Sequence, residues 1–143
     1  MKELALRACS ILLTLVMAQA AAAADKPDKL VREFVAAFNA HDVDRMLTSC
    51  APDVRWMNLA ADKLTVETSG TEKLAESMRG YFRRVPSARS ELRGVVVSGN
   101  FVTAVERATW ESKGQERTQC SVSVYEVREG KVHSVWYFPA HGC

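Results

Sequence analysis

Apolar positions along the chain follow two rhythms, and the switches between them mark its elements. In "DKLVREFVAAFN" (28–39), Leu30, Phe34, Ala37 and Phe38 fall at helical spacing, widened by Val31 and Val35, which predicts a helix with one buried face. "HDVDRMLTSC" (41–50) predicts a short second helix, capped by His41 or Asp42 and stopped at Pro52. The rhythm then becomes two. "APDVRWMNL" opens a strand running to about Leu59, with Val54, Trp56 and Asn58 on one face and Arg55, Met57 and Leu59 on the other, and "KLTVETSG" reads as its hairpin partner. Ser69 and Glu72 stand at capping-box spacing, which predicts a third helix from near Thr71 to about Arg84, ended by Pro86. Everything after Ser87 is strand-like, in four runs joined at Gly99-Asn100, Lys113-Gly114 and Glu129-Gly130.

The first residues obey neither rhythm. Lys2 and Arg7 precede the run "ACSILLTLVMAQAAAAA", and small residues lead up to Asp25, the order of a secretory signal peptide over 1–24, with Ala20 and Ala22 as other cleavage points. The run is short for a membrane span, and Cys9 precedes its apolar centre rather than ending it. The expectation is therefore an exported chain, periplasmic or secreted, with no membrane anchor. Without Lys2, Arg7 and Glu3, the domain expected over 25–143 has 17 basic and 16 acidic residues, a net charge of +1. That balance gives no field to attract nucleic acid. A chain of this length makes one domain and buries roughly two-thirds of its unfolded surface. Its cysteines are Cys50, Cys120 and Cys143, so an oxidising compartment permits one bridge and leaves one thiol over. Neither they nor His41, His133 and His141 show metal-ligand spacing, and nothing in the chain calls for a cofactor.

The order helix, helix, two strands, helix, four-strand meander resembles the nuclear-transport-factor-2-like superfamily. The resemblance rests on "VAAFNAHDVDRML", "APDVRWMN", the Gly70 to Glu72 start of the third helix and "VYEVREGKVHSVWYF", and covers nearly all of 26–139. It implies an α+β fold in which a curved, mixed six-stranded sheet forms a cone closed by three helices. Two-residue loops at Lys113-Gly114 and Glu129-Gly130 set Arg107 against Cys120, Val122 against Tyr137, Val124 against Val135 and Glu126 against His133. One face then carries Thr103, Val105, Arg107, Cys120, Val122, Val124, Val135 and Tyr137, and its aliphatic content marks it as the concave side. The other carries Val102, Ala104, Glu106, Ala108, Trp110, Ser121, Ser123, Tyr125, Trp136 and Phe138; a bulge would exchange the two. On this register Arg107 enters the cavity, where it needs a carboxylate, an amide such as Asn58 or an anionic ligand, unless it sits at the mouth and reaches water.

Aligned on the ketosteroid isomerases of this superfamily, Phe34 occupies the place of their phenol donor and Asn58 that of their aspartate base, so neither function survives. Limonene epoxide hydrolases are similar at Trp56-Met57-Asn58 and Glu106-Arg107-Ala108-Thr109. Thr109 stands where they carry an aspartate, and "SVWYFPAHG" lacks their last acidic residue. The remaining acid–base candidates are Asp53, Glu67, Glu106, Glu126, His133 and Tyr137; the catalytic residues are not assigned, and Asp53, His133 and Tyr137 are one set an enzyme could use. Asp53 also reads as a turn residue, and Glu126 with His133 as a cross-strand surface pair. Arg79, Arg83, Arg84, Arg89 and Arg93 gather near the third helix's end, where cations complement its dipole or attract an anion.

The function these readings imply is an exported, SnoaL-like small-molecule-binding protein. Asn58, Arg107, Trp56 and Tyr137 would hold a modest apolar ligand with one or two polar groups. A hydrolase, isomerase or cyclase with a non-standard acid–base set is the alternative, and a dimeric interaction module with a filled cone is the third. Trp110, Tyr125, Trp136 and Phe138 on the outer face would form a homodimer contact. Cys120 lies opposite Pro139, close enough to the tail for a Cys120–Cys143 disulfide, with Cys50–Cys143 or no internal bridge as the other outcomes.

Overall fold

The computed structural model describes residues 26–143, so the leader expected over 1–24 lies outside the described residues. Helices α1 (Pro27–Asn39), α2 (Val43–Thr48) and α3 (Thr71–Arg84) pack on one face of a single sheet. Its strands are β1 (Cys50–Ala60), β2 (Lys63–Ser69), β3 (Arg89–Ser98), β4 (Phe101–Ser112), β5 (Gln115–Arg128) and β6 (Lys131–Tyr137), arranged β2-β1-β6-β5-β4-β3. All neighbours are antiparallel except β1 with β6, and the result is the α+β cone, a curved mixed sheet closed by three helices.

The helices form where the period of 3.6 predicts. Val31, Phe34, Val35 and Ala37 of α1 are buried, and together with Leu74, Ala75, Met78 and Phe82 of α3 they make the core over the sheet. Asp42 caps α2 by accepting a hydrogen bond from the Arg45 amide at 3.0 Å, and Lys131 Nζ donates to the Thr48 carbonyl at its other end, 2.6 Å away. The capping box expected from Ser69 and Glu72 does not form. The N-cap is Gly70, at φ 85° and ψ 154°, a backbone region open essentially to glycine alone, and its amide donates to the Val54 carbonyl at 2.8 Å. Cys50, expected at the end of α2, is instead the first residue of β1, where parallel pairing with Val132 draws it into the sheet.

Both tight loops have the predicted two-residue form. Lys113 and Gly114 lie at φ 53° and 70°, and Glu129 and Gly130 at 51° and 69°, the paired positive values of type I′ turns. The β4–β5 register accordingly matches the sequence reading, with Arg107 opposite Cys120. The β5–β6 register does not. Val127 pairs with Val132 but Glu126 pairs with Ser134, so His133 is an extra residue in a bulge, and from there Tyr125 faces Val135 and Ser123 faces Tyr137.

The concave side of β4 and β5 is also the opposite of the expected one: their less aliphatic face turns toward the helices, and the bulge sets Val135 and Tyr137 beside it. Val102, Ala104, Glu106, Ser123 and Tyr125 look into the cone together with Val135 and Tyr137, while Thr103, Val105, Arg107, Val122 and Val124 are on the outside. Arg107 is therefore not a cavity residue. Its Nη1 stands 3.8 Å from the Glu91 carboxylate on the outer face. Tyr125 leaves the expected dimer surface and is fully buried, whereas Phe101 joins Trp136 there with ring centroids 6.3 Å apart.

A candidate acid–base pocket in the cone

The helices, the concave side of the sheet and the start of the C-terminal tail line a cavity of about 540 Å³. Its walls are aromatic. Phe34 of α1 lies 6.2 Å from Trp56 of β1, and Trp56 stacks on Tyr137 of β6 at 5.1 Å. α3 contributes Ser77, Tyr81 and Arg84, spaced i, i+4 and i+7 so that one helix face looks into the opening. Phe138, Pro139 and Ala140 of the tail complete the rim.

Asn58, Trp56 and Tyr137, expected at the pocket, all line it. Asn58 is half-buried beside Tyr137 across the parallel β1–β6 pair, and its side-chain amide hydrogen-bonds no other described residue. That leaves a free donor and acceptor facing the cavity.

The chemistry of the pocket centres on Glu106. This β4 residue is only 6% exposed, yet among the described residues no arginine, lysine or histidine pairs with it. Three hydroxyl groups do. Ser90 Oγ of β3 donates to Oε2 at 2.8 Å, Tyr125 OH of β5 donates to Oε1, and Tyr137 OH of β6 lies 3.1 Å from both carboxylate oxygens. The phenols are also 3.2 Å from each other. Ser90 is fixed from the helix side, because Asn39 at the end of α1 donates to its carbonyl at 2.8 Å and accepts from its amide at 2.7 Å.

Burial, then the Glu106 charge, then the other phenol hold Tyr125 well above the usual tyrosine range; burial and Glu106 do the same to Tyr137. Both phenols therefore stay protonated at neutral pH and act as donors. They differ in access, since Tyr125 is fully buried and Tyr137 is half-buried at the cavity wall. Tyr137 can touch a ligand, and Tyr125 holds the carboxylate from behind.

The remaining sequence candidates lie elsewhere. Asp53 and His133 do meet, Oδ1 to Nδ1 at 3.7 Å, but Asp53 is strongly exposed and His133 also contacts Arg128 at 3.2 Å, away from Tyr137 and outside the cavity lining. Glu126 pairs with Arg128 at 3.2 Å. Glu67 lines the mouth without the hydroxyl partners that surround Glu106. Glu106 was legible as a candidate carboxylate; its position was not, because aliphatic content marks the opposite face of β4 as the concave one.

A family model for the SnoaL-like domain matches residues 31–135. The chain belongs to the SnoaL-like family. Solved structures place this SnoaL-like domain within the nuclear-transport-factor-2-like fold. A cystatin-fold protein from Novosphingobium aromaticivorans superposes with a TM-score of 0.70 at 21% identity, covering 80% of this chain and 98% of that one. A nuclear-transport-factor-2-like protein from Burkholderia pseudomallei gives 0.66 at 19%, covering 82% and 90%. TerC, crystallised with polyporic acid, gives 0.65 at 18%, covering 78% and 88%. At these identities the likeness extends to the fold alone. No curated protein sequence matches the chain.

Proposed function

We propose that this SnoaL-like protein binds a modest, largely apolar molecule in the cone and moves a proton on it, with Glu106 as the base. The observation that carries the reading is a buried carboxylate, free of any described cation, held by three hydroxyls inside a ligand-sized cavity. A structural carboxylate is normally matched by a cation when it is taken out of water. The chemistry that fits is proton transfer at a carbon beside a carbonyl, the common step of isomerisation, dehydration and ring closure. Glu106 takes the proton, Tyr137 turns its O–H to the oxygen where negative charge develops, and the protonated Glu106 returns the proton at a second position. Tyr137 can remain a donor throughout because burial keeps it neutral. The aromatic wall, with Phe34 beside Trp56 and Trp56 stacked on Tyr137, supports a flat cyclic ligand.

Passive binding is the second reading, favoured by the unpartnered Asn58 amide. Deuterium exchange separates the two. Small cyclic and aryl ketones incubated with the protein in D2O should gain deuterium beside the carbonyl, and Glu106→Gln should abolish the gain while retaining binding by ligand-observed NMR. Binding of the ketones with no exchange above buffer would leave only passive binding. Export belongs to the same proposal, supported by the leader pattern and by Cys120 and Cys143 at disulfide distance, their Cα atoms 5.1 Å apart.

A further inference from the structure

The tail beyond β6 has a geometry that neither the core nor the acid–base cluster requires. Phe138, Pro139 and Ala140 form part of the cavity rim, yet all of residues 138–143 are exposed, so almost no apolar burial holds them there. What holds them is backbone and sulfur. Phe138 donates its amide to the Val122 carbonyl at 2.9 Å, and His141 and Cys120 exchange amide–carbonyl bonds at 2.8 and 2.9 Å as an isolated bridge on the β5 edge. Two residues later Cys143 closes onto Cys120. These few solvent-exposed hydrogen bonds do not offset the backbone freedom of six residues, and the disulfide removes that freedom by fixing the free end.

We infer that the Cys120–Cys143 disulfide is a clasp that keeps the tail as a wall of the ligand cavity, and that its reduction opens the cone. The two sulfurs are unequal. Cys120 is buried under the tail, 4% exposed, while Cys143 is at the surface, so an incoming thiolate reaches the Cys143 sulfur. With a small dithiol as reductant, one thiolate attacks Cys143 Sγ and expels the Cys120 thiolate, which takes up a proton. The second thiolate of the dithiol then displaces Cys143, leaving two protein thiols and a cyclic disulfide of the reductant. The tail, tied only by its backbone bonds, frays from the β5 edge and the aromatic wall behind it becomes accessible. The inference does not depend on which chemistry Glu106 performs.

The test needs no ligand. In the full chain carrying Trp110→Phe and Trp136→Phe, Trp56 in the cavity wall is the remaining tryptophan, and its quenching by acrylamide reads access to the cone. Reduction with dithiothreitol should raise the quenching constant about twofold or more, and the amides of Cys120, Phe138 and His141 should lose about a hundredfold of exchange protection while the remaining β4–β5 ladder keeps its own. Cys143→Ser should show the open values with or without reductant, and Cys50→Ser should respond like the parent. Unchanged Trp56 quenching on reduction, or tail amides that keep their protection in Cys143→Ser, would overturn the clasp.

Discussion

Replacing Glu106 by glutamine separates the two roles open to a buried carboxylate, a structural anchor and a reactive group. The native cluster has three hydroxyl donors on one charged acceptor, each worth about 1.5–3 kcal/mol as a hydrogen bond to a charged group. Against them stands the cost of taking the charge out of water, several kcal/mol after relaxation. The two sums nearly cancel. In Glu106→Gln the carbonyl oxygen keeps one phenol, the amide NH2 can donate to Ser90 Oγ, and the phenols can bond each other across 3.2 Å. About three charge-assisted bonds become neutral ones, each weaker by about 1 kcal/mol, while the burial cost of the charge disappears. The variant should therefore unfold in urea at pH 7 within about 1 kcal/mol of the parent, or be more stable, while proton transfer falls by about a hundredfold or more. Glu106→Leu, which leaves the hydroxyls without an acceptor, should lose about 2–4 kcal/mol. If Glu106→Gln were itself destabilised by more than about 2 kcal/mol, the carboxylate would be a net structural anchor and the argument for its function would collapse.

Tyr125→Phe should cost about 1–3 kcal/mol in thermal unfolding, because it strips a fully buried donor from the Glu106 carboxylate, whereas Tyr137→Phe should cost less stability and more turnover. Burial pushes the Cys50 thiol up to about 12 from 9.0, so the unfolded chain loses that proton first. Stability should then fall by about 1.4 kcal/mol per pH unit from Cys50 alone between pH 9 and 12, a slope that Cys50→Ala removes and that a pH series of urea melts would read. The exposed apolar surface around Phe101 and Trp136 should join two copies, so that light scattering gives a dimer mass for the parent and a monomer for Trp136→Asp; a monomeric parent at high micromolar concentration contradicts it.

The element order was readable because each element carries its own period and its own stops: Asp42 before α2, Pro86 after α3, and Lys113-Gly114 and Glu129-Gly130 as paired left-handed residues. The β4–β5 register followed from the loop and is correct. The β5–β6 register failed at His133, since a bulge adds one residue without altering composition, and one residue of slip turns every later side chain over. Trp56, Asn58 and Tyr137 were placed at the cavity because β1 needs no long-range register and Tyr137 was carried to the correct face by the slip itself. Arg107 and Glu106 were exchanged for a separate reason, the choice of the more aliphatic face of β4 and β5 as the concave one. The start of α3 was right for a different reason than the one supplied by Ser69, because Gly70 makes the turn through its backbone.

A second criterion was available in the residues, and it concerns size rather than polarity. On the concave side of a strongly curved sheet the side chains converge, so large aliphatics there would fill the space beneath the helices. β4 and β5 place Ala104, Ala108, Ser121 and Ser123 on that side and Val105, Val122 and Val124 on the other. The richer aliphatic face is thus the convex one, where side chains diverge. Small residues inside are what leave the cavity, and Glu106 sits between Ala104 and Ala108 with Ser121 opposite it across the ladder. A carboxylate in that row has room to extend to the centre of the cone, where Ser90, Tyr125 and Tyr137 meet it. Among valines the same side chain would find neither its donors nor a space for a ligand beside them. The pattern that creates the pocket is therefore the pattern that makes its one buried acid usable.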